Sequence, residues 1–326
     1  MNKKNIAVVY GGDSSEIIVS RKSARGVLSF IDDAKYDSIP VLITSDKWVA
    51  EVNGQEFPID KDDFSYSIHG EKKFFDCAYV TIHGTPGEDG KLQGYFDMIG
   101  MPYSTCGVLP ASLSFNKFAC NTYLKGFGVL VADSLLIRKG TEYNIDHIID
   151  TLGVPCFIKP NAGGSSFGIT KAQKISEVKP AIEKAFSESN EVIIEKFVDG
   201  KEFTCGLYKI VGKETVFPIT EVIPANDFFD FEAKYNADKA EEITPARLPQ
   251  ETAERMQKIT SLIYDILGCK GIVRIDYILK ENNIFLLEVN TTPGMTATSF
   301  IPQQIKAAGL NIKEVFTEII ESSMSQ

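Results

Sequence analysis

The sequence lacks a long apolar run, a basic excess and paired cysteines, and each absence excludes a class of protein. No hydrophobic stretch approaches the roughly 18 residues of a membrane span. Lysine and arginine total 34 against 44 aspartates and glutamates, so the net charge of −10 argues against a broad nucleic-acid surface. The apolar run before Gly11 is too short for a signal peptide. We therefore expect a cytoplasmic protein without a membrane or nucleic-acid partner.

Common metal and nucleotide signatures are also missing. The six cysteines contain no C-x-x-C pair and the three histidines lie far apart, so no zinc spacing is present. Most cysteines stand in apolar contexts, which predicts buried, reduced thiols. The dinucleotide motif G-x-G-x-x-G and the P-loop motif G-K-[ST] are absent. What is present is a 326-residue chain with 44% hydrophobic residues, enough for two or three domains.

Residues 271–299 are the most informative stretch. Two apolar, β-branched segments, GIVRIDYIL and IFLLEVN, are separated by the turn-prone KENN, which predicts an antiparallel hairpin. Because side chains alternate along a strand, Arg274 and Asp276 share a face, as do Glu288 and Asn290. A hairpin centred on the KENN turn places Asp276 opposite Glu288 and Arg274 opposite Asn290.

The two facing carboxylates predict either a divalent metal site or the polar outer face of an ordinary hairpin. Across strands they should repel each other and reduce stability unless a cation is bound. Two carboxylates and one amide carbonyl are oxygen ligands that suit Mg²⁺, which also takes phosphate oxygens. The NTTPGMT segment that follows contains a Pro-Gly turn, which brings backbone N–H groups near the same place and favours the metal site.

The chain begins with the pattern of a doubly wound α/β unit. Residues 5–10 predict a buried strand that ends at a Gly-Gly pair, and a helical pattern follows. Glu16, near that turn, either caps backbone donors or meets a cationic ligand. Residues 51–75 predict a peripheral hairpin or loop region. The next buried strand leads to His83, which is either structural or a ligand-binding residue.

A change of character near residue 108 predicts a domain boundary. The following segment, LPASLSFNKFACNTYLKGFG, predicts one helix with Lys117 in its middle. Further along, a buried strand ends at Lys159 and the loop GGSSFG follows it. Glycines allow close backbone approach, so a strand-terminal lysine before such a loop is typical of a phosphate-binding site.

Residues 191–223 predict antiparallel strands that turn at VDGK and VGKE. Glu195, Lys196 and Val198 end the first of these strands, and could supply the hydrogen bonds and apolar walls that bind adenine. Glu202 is spaced to reach a ribose hydroxyl. A charged edge strand is the alternative interpretation. Residues 225–248 have no clear period and predict a long functional loop or lid.

These pieces together resemble the D-alanine–D-alanine ligases of the ATP-grasp superfamily. The resemblance is carried by seven segments in the family's order, which span nearly the whole chain. They are GGDSSEIIVS, IHGTPGEDGKLQGYFD, FIKPNAGGSSFG, IIEKFVDGKEFT, EAKY, RIDYIL and LLEVNTTPGMTATS. The resemblance implies an α/β, ATP-grasp fold of three domains: an N-terminal doubly wound parallel-sheet domain at 1–107, a central domain at 108–204 and a C-terminal domain at 205–326.

The resemblance also implies roles for individual residues. Those expected to bind ATP are Lys117, Lys159, Ser165, Ser166, Glu195, Lys196, Val198 and Glu202. Those expected to hold two Mg²⁺ ions, for which Mn²⁺ could substitute, are Asp276, Glu288 and Asn290. Those expected at the two D-alanine sites are Glu16, His83, Arg274, Gly294 and Ser299. Lys234 and Tyr235 would come from the closing loop, and the implied catalytic group is Glu16, Ser165, Lys234, Tyr235, Arg274, Gly294 and Ser299.

The implied reaction joins two D-alanines with ATP through a D-alanyl phosphate, giving the dipeptide used in peptidoglycan synthesis. The family also implies a homodimer. The chain departs from the family with Asn116 where Asp is common and with Phe231 where many members carry Tyr. Three alternatives stay open: a ligase with D-lactate or D-serine as second substrate, a different ATP-grasp enzyme, and a nucleotide-binding regulatory protein without catalysis.

Overall fold

The computed structural model describes residues 3–14, 16–164, 168–224 and 240–325. The strands are β1 (Lys4–Gly11), β2 (Tyr36–Ile43), β3 (Trp48–Val52), β4 (Gln55–Asp60), β5 (Ser65–Ile68), β6 (Glu71–Lys73), β7 (Cys77–Val80), β8 (Ser134–Arg138), β9 (Cys156–Pro160), β10 (Thr170–Ala172), β11 (Glu191–Lys196), β12 (Lys201–Ile210), β13 (Lys213–Val216), β14 (Thr220–Pro224), β15 (Ala240–Ile243), β16 (Val273–Lys280) and β17 (Asn283–Asn290). The helices are α1 (Ile17–Phe30), α2 (Lys91–Ile99), α3 (Val108–Phe115), α4 (Lys117–Lys125), α5 (Ile145–Leu152), α6 (Ile175–Ala185), α7 (Gln250–Leu267), α8 (Phe300–Ala307) and α9 (Ile312–Met324).

The first sheet has the order β6-β5-β4-β3-β2-β1-β7. β1 is parallel to both β2 and β7, which confirms an α/β arrangement at the start of the chain. β1 is fully buried from Ile6 to Val9, as expected for a strand covered on both faces. The polar stretch 51–75 forms antiparallel hairpins that continue this sheet, so the sheet is mixed rather than wholly parallel.

The second sheet has the order β10-β9-β11-β8, and the third has the order β15-β14-β12-β16-β17, with β13 also on β12. β11 therefore lies in the middle of a sheet, and the charged-edge interpretation is wrong. Val192, Ile193 and Ile194 are fully buried, and an edge position would leave such a run exposed. The predicted hairpin at VDGK is also wrong, because β11 and β12 belong to different sheets. The hairpin at VGKE is confirmed.

The β16–β17 hairpin has the predicted register. Asp276 lies opposite Glu288 and Arg274 lies opposite Asn290. A bulge follows, because Tyr277 pairs with Leu286 rather than the next residue along β17. Bulges re-aim side chains locally and are common next to functional sites.

The single helix predicted around Lys117 is wrong. Asn116 has an extended backbone (φ −92°, ψ 97°), so the chain forms α3, breaks, and starts again as α4. The Asn116 side chain accepts a hydrogen bond from Ala119 N at 2.9 Å and thereby caps α4. Asn161 supports the break, since its carbonyl accepts from Lys117 N at 3.0 Å. Lys117 is therefore the first residue of a helix, not its middle.

The C-terminal helices pack against the first sheet and share its core. Phe316 of α9 stacks on Tyr79 of β7 with ring centroids 5.1 Å apart, and Ile301 of α8 belongs to the same buried cluster. This packing brings the segment between β17 and α8 beside the strand ends of the first sheet. All six cysteines are buried and free, as predicted. Among the described residues, no helix is long and apolar enough to cross a membrane.

The expected loop at 225–248 is only partly described. Residues 240–243 form β15, which pairs antiparallel with β14, so this part is a strand rather than a loop. Residues 225–239 lie outside the described part of the chain.

Candidate active site

A cavity of about 550 Å³ lies between the second and third sheets. Its lining contains seven of the residues singled out from the sequence: Lys117, Lys159, Glu195, Lys196, Val198, Glu202 and Glu288. Phe157, Ile278 and Leu286 contribute apolar wall. A mainly apolar cleft with cations at one end suits a planar, apolar group joined to a polyanion.

Two buried side chains of opposite charge stand in the wall of this cavity. Lys159 ends β9 and Glu195 lies on the neighbouring β11, and the two form an ion pair. Both side chains are only 7% exposed. Asn121 of α4 donates a further hydrogen bond to Glu195 Oε1 at 3.1 Å. The pair fixes the Lys159 ammonium where it can meet an anionic ligand.

Lys117 reaches the same cavity from the start of α4. Its ammonium donates to Gly163 O at 2.6 Å and lies 3.9 Å from Glu288. The glycine loop also passes close to Glu16, because a side-chain carbon at Gly164 would lie 2.7 Å from a Glu16 carboxylate oxygen. A larger residue there would displace the Glu16 carboxylate.

The carboxylate of Asp276 is the centre of the predicted metal site. It accepts two hydrogen bonds from Arg274, at 2.9 and 2.8 Å, and one from Asn290 Nδ2 at 3.0 Å. Thr204 donates to it at 2.5 Å. Arg274 thus gives Asp276 a counter-charge within the same hairpin, which the sequence interpretation did not include.

The donor chemistry of these residues fits a magnesium ion. Asp276 and Glu288 supply carboxylate oxygens on facing strands, and Asn290 adds an amide. The described residues contain no cluster of three or more His, Cys, Asp or Glu side chains that could hold a metal. A hard cation bound by two carboxylates, an amide, water and phosphate oxygens is therefore the arrangement that this site suits.

His83 and Glu16 lie on the other side of the site, beside α1. Ser23 Oγ is 3.0 Å from His83 Nε2 and also accepts from Met295 N at 3.3 Å. Burial, and to a smaller extent the charge of Arg274, lower the pKa of His83 to about 4, so the imidazole is neutral. Glu16 is the N-cap residue of α1, and its side chain forms no capping hydrogen bond with that helix.

Glu88 and Ser23 are two site residues that the sequence interpretation missed. Glu88 Oε2 accepts from Gly84 N at 2.7 Å, and burial together with the nearby Glu16 carboxylate raises the pKa of Glu88 to about 8. The HGTPGEDG segment contains Glu88 and could have revealed it. Ser23 gives no comparable signal, because its two partners lie 60 and 272 residues away.

Gly294 and Ser299 lie on the segment between β17 and α8. The Ser299 hydroxyl accepts from Thr296 N at 3.0 Å, and a side-chain carbon at Gly294 would lie 3.1 Å from it. Arg274 places its guanidinium over the Phe300 ring, 5.3 Å from the centroid. Arg274 therefore stands between the Asp276 carboxylate and this segment. These residues do not line the 550 Å³ cavity.

Several predicted residues cannot be placed. Ser165, Ser166, Phe231, Lys234 and Tyr235 lie outside the described residues. The others fall into two groups, one in the cavity and one around His83 and the 291–299 segment. Arg274 and Asn290 both contact Asp276 on the β16–β17 hairpin, which also carries Glu288 of the cavity. A nucleotide site beside an anion-binding and amino-acid-sized site is what this arrangement can provide.

Two family models match consecutive parts of the chain. The family model described as D-ala D-ala ligase N-terminus matches residues 5–106, and the one described as D-ala D-ala ligase C-terminus matches residues 123–321. A relative from Phocaeicola vulgatus, named D-alanine–D-alanine ligase, is 60% identical over 322 residues, covering 98% of this chain and 99% of that protein.

Two solved structures share the fold over nearly the whole chain. The VanG D-Ala:D-Ser ligase from Enterococcus faecalis has a TM-score of 0.88 at 31% identity, covering 99% of this chain and 100% of that one. The D-alanine–D-alanine ligase from Bacillus anthracis, solved in complex with ATP, has a TM-score of 0.79 at 32% identity, covering 100% and 98%.

Proposed function

The chain belongs to the D-alanine–D-alanine ligase family and is a ligase that uses ATP, and we propose that the residues described above carry that activity as follows. The observation that supports the proposal best is the position of Arg274. This guanidinium holds Asp276 of the candidate metal site and stands next to the segment of Gly294 and Ser299. A carboxylate substrate bound there would lie beside the γ-phosphate of a nucleotide.

ATP would occupy the 550 Å³ cavity. Lys117 and Lys159 would meet its phosphates, because both ammonium groups stand next to the glycine loop. The adenine would lie against the end of β11 at Lys196 and Val198, and Glu202 would bind the ribose. Charge neutralisation by such cations is what phosphoryl transfer needs most from a protein.

Asp276, Glu288 and Asn290 would hold Mg²⁺, as two ions, with Mn²⁺ as a substitute. The bound cation would neutralise phosphate charge during transfer. The chain's own contribution is to orient these three oxygen ligands from facing strands. Arg274 and Thr204 fix the Asp276 carboxylate before any ligand binds.

The first D-alanine would bind between Glu16, His83 and Arg274. Its carboxylate oxygen attacks the γ-phosphorus, ADP leaves, and an acylphosphate forms. The amine of the second D-alanine, held through Ser299, then attacks the acyl carbon, phosphate leaves, and the nitrogen gives up a proton. Arg274 and the Gly294 N–H would stabilise the oxyanion of that second step.

The remaining assignments belong to the same proposal. Ser165, Ser166, Lys234 and Tyr235 would close over ATP and the intermediate and exclude water. The chain would divide into domains at 1–107, 108–204 and 205–326, work in the cytoplasm as a homodimer, and supply the dipeptide for peptidoglycan. D-Serine as second substrate is the alternative, since a D-Ala:D-Ser ligase shares the fold.

The test is incubation with ATP, Mg²⁺ and D-alanine, with L-alanine as the control substrate. We expect ADP, phosphate and the D-alanyl dipeptide with D-alanine, and neither ADP formation nor a peptide with L-alanine. Equal ADP release with both enantiomers, or none with either, would remove the ligase assignment. A preference for D-serine over D-alanine as the second substrate would change the product while leaving the reaction type.

A further inference from the structure

Glu242 is a half-buried carboxylate on β15 to which the proposed mechanism gives no role. It lies opposite Val222 of β14, which in turn lies opposite Glu202 of β12. Directly opposite residues of antiparallel strands point to the same side of a sheet. Glu242 therefore faces the same side of the sheet as Glu202. Thr204, two residues after Glu202 on β12, also faces that side, and it donates a hydrogen bond to Asp276 on the next strand.

The contacts of Glu242 tie it to the Ser299 segment. Gln303 Nε2 donates to Glu242 Oε2 at 2.7 Å and to Thr298 O at 2.7 Å. One amide nitrogen thus joins the carboxylate to the residue that precedes Ser299. Gln303 lies in the first turn of α8, whose backbone is anchored at Ser299. This places the Glu242 charge beside the candidate site for the second amino acid.

The positive charge of Arg274 also acts on the Glu242 carboxylate. Burial raises the pKa of Glu242, whereas the bond from Gln303 and the positive charge of Arg274 lower it. Among the described residues, no lysine or arginine forms an ion pair with Glu242, although Glu221 in the same sheet pairs with both Lys201 and Arg247. A partly desolvated carboxylate with only a neutral donor in contact favours a cationic ligand group.

We propose that Glu242 is a specificity residue for the second substrate, whose ammonium group it binds while Ser299 meets the carboxylate end. This inference rests on the proposed function. An amino acid carries opposite charges at its two ends and matches such a pair of groups. A hydroxy acid such as D-lactate offers only the anionic end, so the Glu242 charge disfavours it.

The decisive variant is Glu242→Gln, which keeps the hydrogen-bonding shape and removes the charge. We expect the KM for the second D-alanine to rise about tenfold, the effect of losing one charge-assisted contact. The KM values for ATP and the first D-alanine should change less than about twofold on the same scale. With D-alanine and D-lactate in competition, the share of the D-alanyl-D-lactate product should rise.

Two further variants separate specificity from structure. Glu241 is exposed and points to the other side of the strand. Glu241→Gln therefore removes the same charge at a neighbouring position and should leave the KM values for ATP and both D-alanines unchanged. Gln303→Ala keeps the Glu242 charge but removes the hydrogen bond that holds its carboxylate in place. We therefore expect a smaller rise in the KM for the second D-alanine. A Glu242→Gln enzyme with a lower melting temperature and unchanged KM and product ratio would show a structural role and overturn the inference.

Failure of the inference and failure of the proposed function have different signatures. If the unaltered protein makes no dipeptide from ATP, Mg²⁺ and D-alanine, the proposed function fails. If it makes the dipeptide, and Glu242→Gln binds the second D-alanine equally well, only the role of Glu242 is wrong.

Discussion

Arg274 donates two parallel hydrogen bonds to the Asp276 carboxylate, Nε to Oδ1 at 2.9 Å and Nη2 to Oδ2 at 2.8 Å. The Arg274 side chain is 13% exposed and the Asp276 side chain 7%. A cation bound at Asp276 must therefore share this carboxylate with the guanidinium. The position of Arg274 and the occupancy of the metal site are consequently linked, and removing either partner should affect both binding and stability.

The first prediction concerns Asp276→Asn. We expect turnover to be lost and the free energy of unfolding to fall by about 3 kcal/mol, because a buried guanidinium would lose its counter-charge. Urea unfolding in the presence of a chelator measures the stability, and ADP release measures turnover.

Glu288→Gln is the matched variant for this prediction. The Lys117 ammonium lies 3.9 Å from the Glu288 carboxylate, a longer contact than the Arg274–Asp276 pair, so we expect lost turnover with a much smaller change in stability. If both variants kept full metal-free stability, the Arg274–Asp276 pair would not be the stabilising contact that its geometry indicates.

The hairpin that carries this pair could be predicted from the sequence, whereas its charge balance could not. Alternation and a short turn fix which residues of 273–290 face each other, and both kinds of information are local. Whether Arg274 turns toward Asp276 depends on the bulge and on Thr204, which lies 72 residues earlier. The register could therefore be predicted from the sequence, whereas the counter-charge that Arg274 gives Asp276 could not.

The second prediction is a double-mutant cycle on Lys159 and Glu195. Each single change, Lys159→Met or Glu195→Gln, leaves the other buried charge without its partner and should cost about 3 kcal/mol. The double variant should recover part of that loss, because no uncompensated charge remains. ATP binding should be weak in both variants that lack Lys159. Additive losses of unfolding free energy would show that the two charges are not coupled.

The third prediction follows from the neutral, buried His83. Its pKa is about 4 in the folded protein against 6.5 as the ordinary value, so between these pH values the unfolded chain binds a proton that the folded protein excludes. Stability is therefore unaffected above pH 6.5 and falls as the pH is lowered toward 4. The loss from this group between pH 7 and pH 5 is about 2 kcal/mol.

His83→Gln provides the control, since glutamine can still meet Ser23 but does not titrate. The variant should escape the loss attributed to His83, while all other titrating groups act equally on both proteins. Urea unfolding at the two pH values gives the comparison. Parallel losses in the two proteins would mean that His83 titrates normally.

Long-range polar contacts explain most of what the sequence did not predict. The sequence does not show whether β11 is an edge strand or a central one, because its pairing partners, β8 and β9, can only be identified in the folded chain. The helix break at Asn116 depends on Asn161, which lies 45 residues later. Helical periodicity continues across the break, so periodicity alone cannot reveal it.

The last prediction uses Asn116, the residue that caps α4. Asn116 Oδ1 accepts from Ala119 N and from Asn161 Nδ2, both at 2.9 Å, and a carboxylate can accept both bonds equally well. Asn116→Asp adds a favourable charge at the start of α4 but lies near Glu191, which shares the Asn161 amide, so stability should change by less than about 0.5 kcal/mol. Asn116→Ala removes both acceptors, and we expect it to cost about 1 kcal/mol and to raise the KM for ATP, because Lys117 loses its fixed position. Thermal unfolding and ATP titration of the two variants provide the measurement. Equal behaviour of the Asp and Ala variants would show that the cap does not position Lys117.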